Sequence, residues 1–139
     1  MTARQAGPTD LERLKEQPRH PRHTMVPFIA RMDEAMESAS LVVSRAGAST
    51  CAELKAAGRG GVLVPLPTSA NDHQRSNALA LASEGRALVI EQAPDLPMRL
   101  EAAILPLLNE AAARQSLSRA PEPNRAVELC LDDLASYFG

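Results

Sequence analysis

The architecture can be predicted from thirteen consecutive residues, Leu41-Val42-Val43-Ser44-Arg45-Ala46-Gly47-Ala48-Ser49-Thr50-Cys51-Ala52-Glu53. This stretch predicts a buried strand over 41–44, a loop of small residues, and a helix that starts near Thr50. Continuous apolar residues are typical of parallel strands that are covered on both faces. A helix that starts at the carboxyl end of such a strand presents backbone N–H groups and its positive dipole end, which suits a phosphate or diphosphate. Gly47 favours close approach of a ligand because it has no Cβ and tolerates positive φ.

Similar patterns recur along the chain. Further strands are predicted at 61–65 and 87–90, with a weaker one at 24–27. The predicted helices follow apolar spacings of three and four and the positions of Gly and Pro: 29–39, Thr50–Ala57 ending at Gly58, Asp72–Glu84 ending at Gly85, Leu96–Asn109 with Pro97 in its first turn and a kink at Pro106, and a last amphipathic helix over 127–138. This alternation predicts an α/β fold with a doubly wound parallel sheet.

Composition limits the class of protein. With 139 residues and 45% hydrophobic content, the sequence predicts one domain, residues 1–139, that ends in helices over 97–139. Nucleic acid is not an expected partner, because the net charge is −2 and only 2% of residues are aromatic. No apolar run approaches the roughly 20 residues that span a bilayer, and no signal peptide is apparent, so a cytoplasmic location is expected. The two cysteines, Cys51 and Cys130, form no C-x-x-C pair and predict neither a disulfide framework nor a zinc site.

A second polar segment follows the strand that ends at Pro65. Residues 67–77 should lie at the same carboxyl edge of the sheet, where open α/β sheets bind ligands. The side chains of Asp72, His73, Gln74 and Asn77 offer donors and acceptors suited to sugar hydroxyls. No Asp, Cys or second His stands at metal-ligand spacing from His73, so no metal site is expected.

Both segments also have a purely structural interpretation. Thr50-x-x-Glu53 matches a capping box, in which Thr50 caps a helix and Glu53 reaches back to the Thr50 amide. In the second segment, Asn71 or Asp72 could cap the helix while the remaining polar residues are solvated. Local spacing alone leaves these alternatives open.

Three ordered motifs resemble the C-terminal, donor-binding domain of the MurG-like N-acetylglucosaminyltransferases. Residues 44–58 resemble the R-x-G-A-x-T-x-x-E-x-x-A-x-G signature of that family, and residues 71–78 resemble its D-H-Q-x-x-N-A motif. Residues 26–32 resemble P-F-I-x-x-M. The resemblance extends from about Gln5 to Ile90 and implies the C-terminal half of a GT-B enzyme, with Rossmann-like architecture.

The resemblance implies UDP-GlcNAc as the donor substrate, with no metal and no other cofactor. The implied uridine-binding residues are Phe28, Ile29, Met32, Arg45 and Glu53; the diphosphate-binding residues are Gly47, Ala48, Ser49 and Thr50; and the sugar-binding residues are His73, Gln74 and Asn77. In this scheme the Ile29 backbone reads the edge of the uracil, and Glu53 accepts hydrogen bonds from the ribose. No catalytic residue is expected in this chain, because the general base would lie in an N-terminal acceptor domain.

The reaction implied by the resemblance is the inverting conversion of lipid I to lipid II in peptidoglycan synthesis. The partners would be an undecaprenyl-linked lipid acceptor, bound by the N-terminal domain, and the cytoplasmic face of the bacterial inner membrane, where the full-length enzyme is peripheral. This chain departs from the family at its start: it lacks the first strand and Gly-rich loop, and Arg4-Gln5-Ala6-Gly7 stands where the family has H-Q-(S/T)-G. That strand is central in a 3-2-1-4-5-6 sheet, so we expect the isolated chain to bind UDP-GlcNAc poorly and to transfer nothing.

Two alternatives remain at the level of sequence. The chain is a non-catalytic or split-system subunit that pairs with a separate acceptor-binding chain, or it belongs to another GT-B enzyme that uses UDP-GlcNAc, such as the 2-epimerase. The R-x-G-A-x-T and D-H-Q motifs favour the transferase over the epimerase.

Overall fold

The computed structural model describes residues 2–17, 21–67 and 72–122, and divides the chain into two compact units, Met1–Ala35 and Met36–Gly139. The elements in chain order are β1 (Thr2–Gln5), α1 (Pro8–Lys15), β2 (His23–Val26), α2 (Met32–Ser38), β3 (Val42–Ser44), α3 (Ala48–Ala56), β4 (Gly61–Leu63), α4 (His73–Ser83), β5 (Ala87–Val89), α5 (Leu96–Asn109) and α6 (Ala111–Leu117).

The first unit is built around a β1–α1–β2 segment. β1 and β2 pair in parallel, from Thr2 opposite His23 to Gln5 opposite Val26. Parallel neighbours need a crossover connection, which α1 supplies. Pro8 lies in the first turn of α1, where its missing N–H costs nothing.

The second unit contains a three-stranded parallel sheet in the order β3-β4-β5. All three residues of β4 are buried, as the continuous apolar pattern predicted. The predicted burial of the strand over 41–44 is wrong: Val43 of β3 is 44% exposed between two half-buried neighbours, because one face of β3 is not covered by the described residues. One buried cluster joins Val62 of β4 to Ile90 and, from α5 and α6, to Leu107 and Leu117. Adjacent strand residues face opposite sides of a sheet, so the buried Leu63 faces away from Val62.

The parallel α/β architecture is confirmed. Within the described residues the strands form two parallel sheets, β1-β2 and β3-β4-β5. Helices α3 and α4 end just before Gly58 and Gly85, whose φ angles of +64° and +72° are in the left-handed region that glycine adopts without strain.

Some predicted boundaries were wrong. α2 starts at Met32 rather than Ile29, and α3 starts at Ala48 rather than Thr50. Asp33 and Glu34 lie in the first turn of α2, where carboxylates favour a helix start. The sequence interpretation missed α1 and α6. α5 has the predicted bounds and contains Pro106, whereas the last predicted helix, 127–138, lies outside the described residues.

The segment 117–122 packs against the turns that follow α3 and α4. The Arg119 N–H donates to the Gly58 carbonyl at 3.2 Å, and the Glu122 N–H donates to the Lys55 carbonyl at 3.0 Å. A Cβ on Gly60 would collide with the backbone oxygen and Cβ of Leu117 and would lie 2.6 Å from the Arg86 oxygen. Glycine is therefore required at position 60 for packing.

Candidate functional site

The N-terminus of α3 follows the carboxyl end of β3. Gly47 is the residue before the helix, and the first helical hydrogen bond runs from the Cys51 N–H to the Gly47 carbonyl at 3.0 Å. The N–H groups of Ala48, Ser49 and Thr50 precede that bond, so they have no acceptor within the helix. Ala48 and Ser49 are exposed. Three amides without a helical acceptor and the positive helix end make this position chemically suited to an anionic group.

The predicted capping box is wrong. Gly47, not Thr50, caps α3, and no side chain donates or accepts a capping hydrogen bond there. Thr50 is the third helical residue, so its backbone is already inside the helix, and Glu53 lies one turn further on. The helix starts earlier because Ala48 and Ser49 continue the helical backbone. Glu53 is half-buried on α3, and its role as a ribose ligand stays a prediction.

Gly47 gives space rather than an unusual backbone. Its φ is −64°, so the positive φ anticipated from the sequence is not used. A Cβ built on Gly47 would meet no heavy atom within 4 Å. The side of the loop that lacks a side chain is therefore open, which is what close approach of a ligand to the backbone requires.

The first turns of α4 lie beside this loop. The Nδ2 of Asn77 donates to the carbonyl of Ala46 at 3.1 Å, and the Oε1 of Gln74 accepts from the Leu66 N–H at 3.0 Å. The two polar segments of the sequence therefore meet at one edge of the sheet, as predicted. His73 is the first residue of α4 and is exposed.

The alternative in which the Asp72 side chain caps α4 is wrong. Asp72 holds the capping position, with φ +56°, but makes no side-chain capping bond. Asn71 lies outside the described residues. Sugar contacts by His73, Gln74 and Asn77 stay predictions; a sugar hydroxyl at Gln74 would meet the Nε2 donors, since its Oε1 is already used.

Arg45 joins the loops after all three strands of this sheet. Its Nη1 lies 3.2 Å from the Val64 carbonyl, 3.4 Å from the Pro65 carbonyl and 2.7 Å from the Oε1 of Gln92. The sequence interpretation gave Arg45 to the uridine and missed Gln92, which follows β5. No local pattern signals a partner 47 residues away. A direct nucleotide contact by Arg45 stays a prediction.

The loop after β2, in the first unit, carries the remaining predicted uridine residues. The Phe28 side chain is 69% exposed, and Met32 is half-buried at the start of α2. The Ile29 N–H donates to the Oε1 of Gln5 at 2.9 Å. Gln5 was not among the predicted site residues, although it lies at the end of β1 in the segment aligned with the H-Q motif.

Cys51 is buried immediately after the exposed amides of α3. Burial raises the pKa of its thiol above the ordinary value, while the nearby Lys55 opposes that shift. A thiol kept protonated in an apolar setting is a poor nucleophile, so Cys51 acts as a packing residue, as the sequence indicated. Cys130 lies outside the described residues.

The described part of the chain offers neither a cluster of metal-binding side chains nor a membrane-spanning helix. In residues 2–17, 21–67 and 72–122, no three His, Cys, Asp or Glu side chains cluster closely enough to hold a metal ion. Within the same ranges, every helix is too short or too polar to cross a membrane.

Comparison with known proteins identifies the family to which this chain belongs. The model of the glycosyltransferase family 28 C-terminal domain matches residues 3–130. The UDP-N-acetylglucosamine--N-acetylmuramyl-(pentapeptide) pyrophosphoryl-undecaprenol N-acetylglucosamine transferase of Syntrophotalea carbinolica is 40% identical over 136 residues, which cover 91% of this chain and 38% of the relative. The transferase of the same name from Chlorobium limicola is 35% identical, over 90% of this chain and 36% of the relative.

Solved structures agree with the sequence relatives. The crystal structure of MurG from Acinetobacter baumannii matches with a TM-score of 0.67 and 30% identity, over 90% of this chain and 40% of that one. The chain thus spans about two fifths of the length of the relatives it matches. It belongs to glycosyltransferase family 28, as a C-terminal domain of the MurG type.

Proposed function

We propose that this chain is the donor-binding half of an inverting N-acetylglucosaminyltransferase and that it binds UDP-GlcNAc at the carboxyl edge of the β3-β4-β5 sheet. One observation carries the proposal: α3 begins directly after Gly47, whose Cβ side is open space, and Asn77 joins that loop to α4. The names of the relatives support UDP-GlcNAc as the donor and a polyprenyl-linked muramyl peptide as the acceptor of the whole enzyme.

The diphosphate is the part of the donor that needs electrostatic stabilisation. As the bond to the sugar breaks, negative charge grows on the departing UDP. The amides of Ala48, Ser49 and Thr50 are fixed dipoles that point toward that charge and need no reorganisation during the reaction. In this proposal they do the work that a divalent cation does in metal-dependent enzymes.

In this proposal, other residues bind the ribose, the GlcNAc and the uracil of the donor. Glu53 accepts from the ribose hydroxyls, and the Nε2 of Gln74 donates to a GlcNAc hydroxyl, with His73 and Asn77 as further sugar ligands. Phe28, Ile29 and Met32 bind the uracil, and the Ile29 backbone reads its edge.

The acceptor side of the reaction lies in the N-terminal domain of the whole enzyme. That domain would bind the undecaprenyl-linked acceptor at the cytoplasmic face of the inner membrane and supply the general base, so that lipid I becomes lipid II. The alternative of a subunit that pairs with a separate acceptor-binding chain uses the same donor site and predicts the same UDP contacts.

Titration of the ¹⁵N-labelled chain with UDP-GlcNAc, followed by amide NMR, tests the proposal even at millimolar affinity. The amides of Ala48, Ser49 and Thr50 should shift together and saturate, with and without EDTA. Those of Gly58 and Gly85, in the turns after the two helices, should stay in place. Saturable shifts at Gly58 and Gly85 without shifts at α3, or no shifts at all, would remove the donor site from this edge. Binding that requires Mg²⁺ would contradict the metal-free assignment.

A further inference from the structure

The backbone N–H of Ile29 is already occupied by another part of the first unit. Gln5 is the last residue of β1, and its Oε1 accepts from the Ile29 N–H at 2.9 Å. Both residues belong to the β1–α1–β2 unit, in which Gln5 pairs with Val26 and the Ala6 N–H donates to the Val26 carbonyl at 2.9 Å. The side chain of Gln5 thus reaches past the end of β2 to the loop that follows it.

The chemistry of this contact resembles that of a pyrimidine edge. The carboxamide of glutamine presents a carbonyl oxygen next to an N–H group, and the edge of uracil presents a carbonyl oxygen next to the ring N–H. Each can accept a hydrogen bond from a backbone N–H through its oxygen. A single N–H cannot make a full hydrogen bond to both oxygens at once.

We propose that Gln5 is an internal competitor for the base: its carboxamide occupies the Ile29 N–H in the free protein and is displaced when a uracil base binds. This inference rests on the proposed function, in which the Ile29 backbone reads the uracil. Gln5 is exposed, so that solvent can take over its side chain after displacement.

The thermodynamic consequence has a definite sign. If only the open form, with the Ile29 N–H unoccupied, binds the base, the apparent affinity is reduced by the fraction of molecules in that form. A neutral hydrogen bond of ordinary net strength keeps roughly half to nine tenths of molecules closed. Removing the carboxamide should therefore tighten binding by about two- to tenfold. A Gln5 that merely supports the loop would have the opposite effect.

Uridine is the probe of choice because it is uncharged and carries only the base and ribose. Its dissociation constant is measured by amide NMR on the wild-type chain and on Gln5→Ala and Gln5→Asn. The Asn side chain is one methylene shorter and should not reach Ile29, so both variants should bind uridine about two- to tenfold more tightly. Gln17→Ala removes the other glutamine of the first unit and serves as the matched control, with unchanged affinity expected.

A second measurement tests the Gln5–Ile29 hydrogen bond separately from its effect on uridine binding. Without ligand, the Ile29 amide resonance should move in both Gln5 variants and should exchange faster with solvent, while the β1–β2 amides stay in place. Uridine binding that is unchanged or weaker in these variants would overturn the proposal that Gln5 competes with the base for the Ile29 N–H. If that happens while UDP still shifts the α3 amides, the proposed donor site stands and only the role of Gln5 is lost. If wild-type protein binds neither UDP nor uridine, the proposed function fails first.

Discussion

The Nδ2 of Asn77 donates a 3.1 Å hydrogen bond to the main-chain oxygen of Ala46, a residue that is completely buried. Ala46 immediately precedes Gly47, where α3 is capped, and Asn77 lies in the second turn of α4. One side chain therefore fixes the loop that carries the outward amides to the helix that carries His73 and Gln74. This hydrogen bond directly links the two halves of the candidate site.

Replacement of Asn77 should loosen that connection. Asn77→Ala leaves the Ala46 carbonyl without this donor, a loss we expect to cost about 1 to 3 kcal/mol of unfolding free energy. Asn77→Asp should cost at least as much at neutral pH, because a carboxylate cannot donate and repels the carbonyl oxygen. Urea denaturation measures both, with the exposed neighbour Ser76→Ala as control. An Asn77→Asp protein as stable as wild type would show that the bond contributes nothing.

Glu53→Ala should weaken UDP binding. Charge-assisted hydrogen bonds to a ribose are worth about 1.5 to 3 kcal/mol, so the dissociation constant should rise roughly tenfold to a hundredfold. Isothermal titration or NMR with UDP measures the change. Glu84→Gln removes a carboxylate from the far end of α4 and should leave UDP affinity unaltered. Equal affinities for Glu53→Ala and wild type would reduce Glu53 to a structural residue.

Two glycine substitutions should differ in what they change: Gly47→Ala should weaken UDP binding with little effect on stability, and Gly60→Ala should lower stability. Gly47→Ala places a Cβ in open space at φ −64°, so unfolding free energy should change by less than about 1 kcal/mol. UDP binding should nevertheless weaken, since the methyl group occupies the side from which a diphosphate approaches the amides. Gly60→Ala should instead destabilise by more than about 2 kcal/mol, because its Cβ collides with Leu117. Thermal melts of both variants measure the change in stability, and UDP titrations measure the change in affinity. If Gly47→Ala binds UDP as tightly as wild type, the diphosphate binds elsewhere.

Gln74 offers a way to separate sugar recognition from loop packing. Gln74→Glu keeps an oxygen that can accept from the Leu66 N–H but loses the Nε2 donors, whereas Gln74→Ala loses both. If Nε2 binds the 4-hydroxyl of GlcNAc, both variants should lose preference for UDP-GlcNAc over UDP-GalNAc, in which that hydroxyl has the opposite configuration, and only the Ala variant should lose stability. Competition titrations with the two UDP-sugars test this. Retained preference in both variants would remove Gln74 from the sugar site.

The Glu84 carboxylate should make stability depend on pH. The hydrogen bond from Lys55 holds the pKa of Glu84 below its usual range. A lowered folded-state pKa stabilises the fold above the unfolded value, about 4.3, and that stabilisation is lost as pH falls through the folded value. The group is about one-third exposed, so the contribution is at most about 1 kcal/mol. The Tm difference between wild type and Glu84→Gln should be present at about pH 6 and should shrink as the pH falls below about 4; a constant difference would contradict the assignment.

Patterns within short stretches predicted much of this fold. Apolar runs marked the positions of β3, β4 and β5, although only β4 is buried throughout, since Val43 and Leu88 are exposed. The ends of α3 and α4 followed from Gly58 and Gly85, which have the positive φ that favours glycine. The start of α3 was misplaced because Thr50-x-x-Glu53 is a stronger local signal than Gly47, although the backbone becomes helical two residues earlier.

The partners of the long-range side-chain hydrogen bonds could not be predicted from the sequence, for a different reason. Asn77 and Ala46 are separated by 31 residues, Arg45 and Gln92 by 47, and Gln5 and Ile29 by 24. Each pair is brought together only by the stacking of parallel strands with helical crossovers, so its identity depends on tertiary geometry that spacing does not encode. The sequence predicted that the two polar segments meet at one sheet edge, which the Asn77–Ala46 hydrogen bond bears out, but it did not predict the bonds themselves.

The three acceptors of Arg45 have a practical consequence for exchanging parts between relatives. Because one guanidinium nitrogen contacts the loops after β3, β4 and β5, a single loop grafted from a relative would keep these contacts only if the course of the 64–65 backbone and the side chain at 92 matched the residue at 45. Positions 45 and 92 are therefore best exchanged together, whereas the acceptors at 64–65 are main-chain carbonyls that any residue supplies.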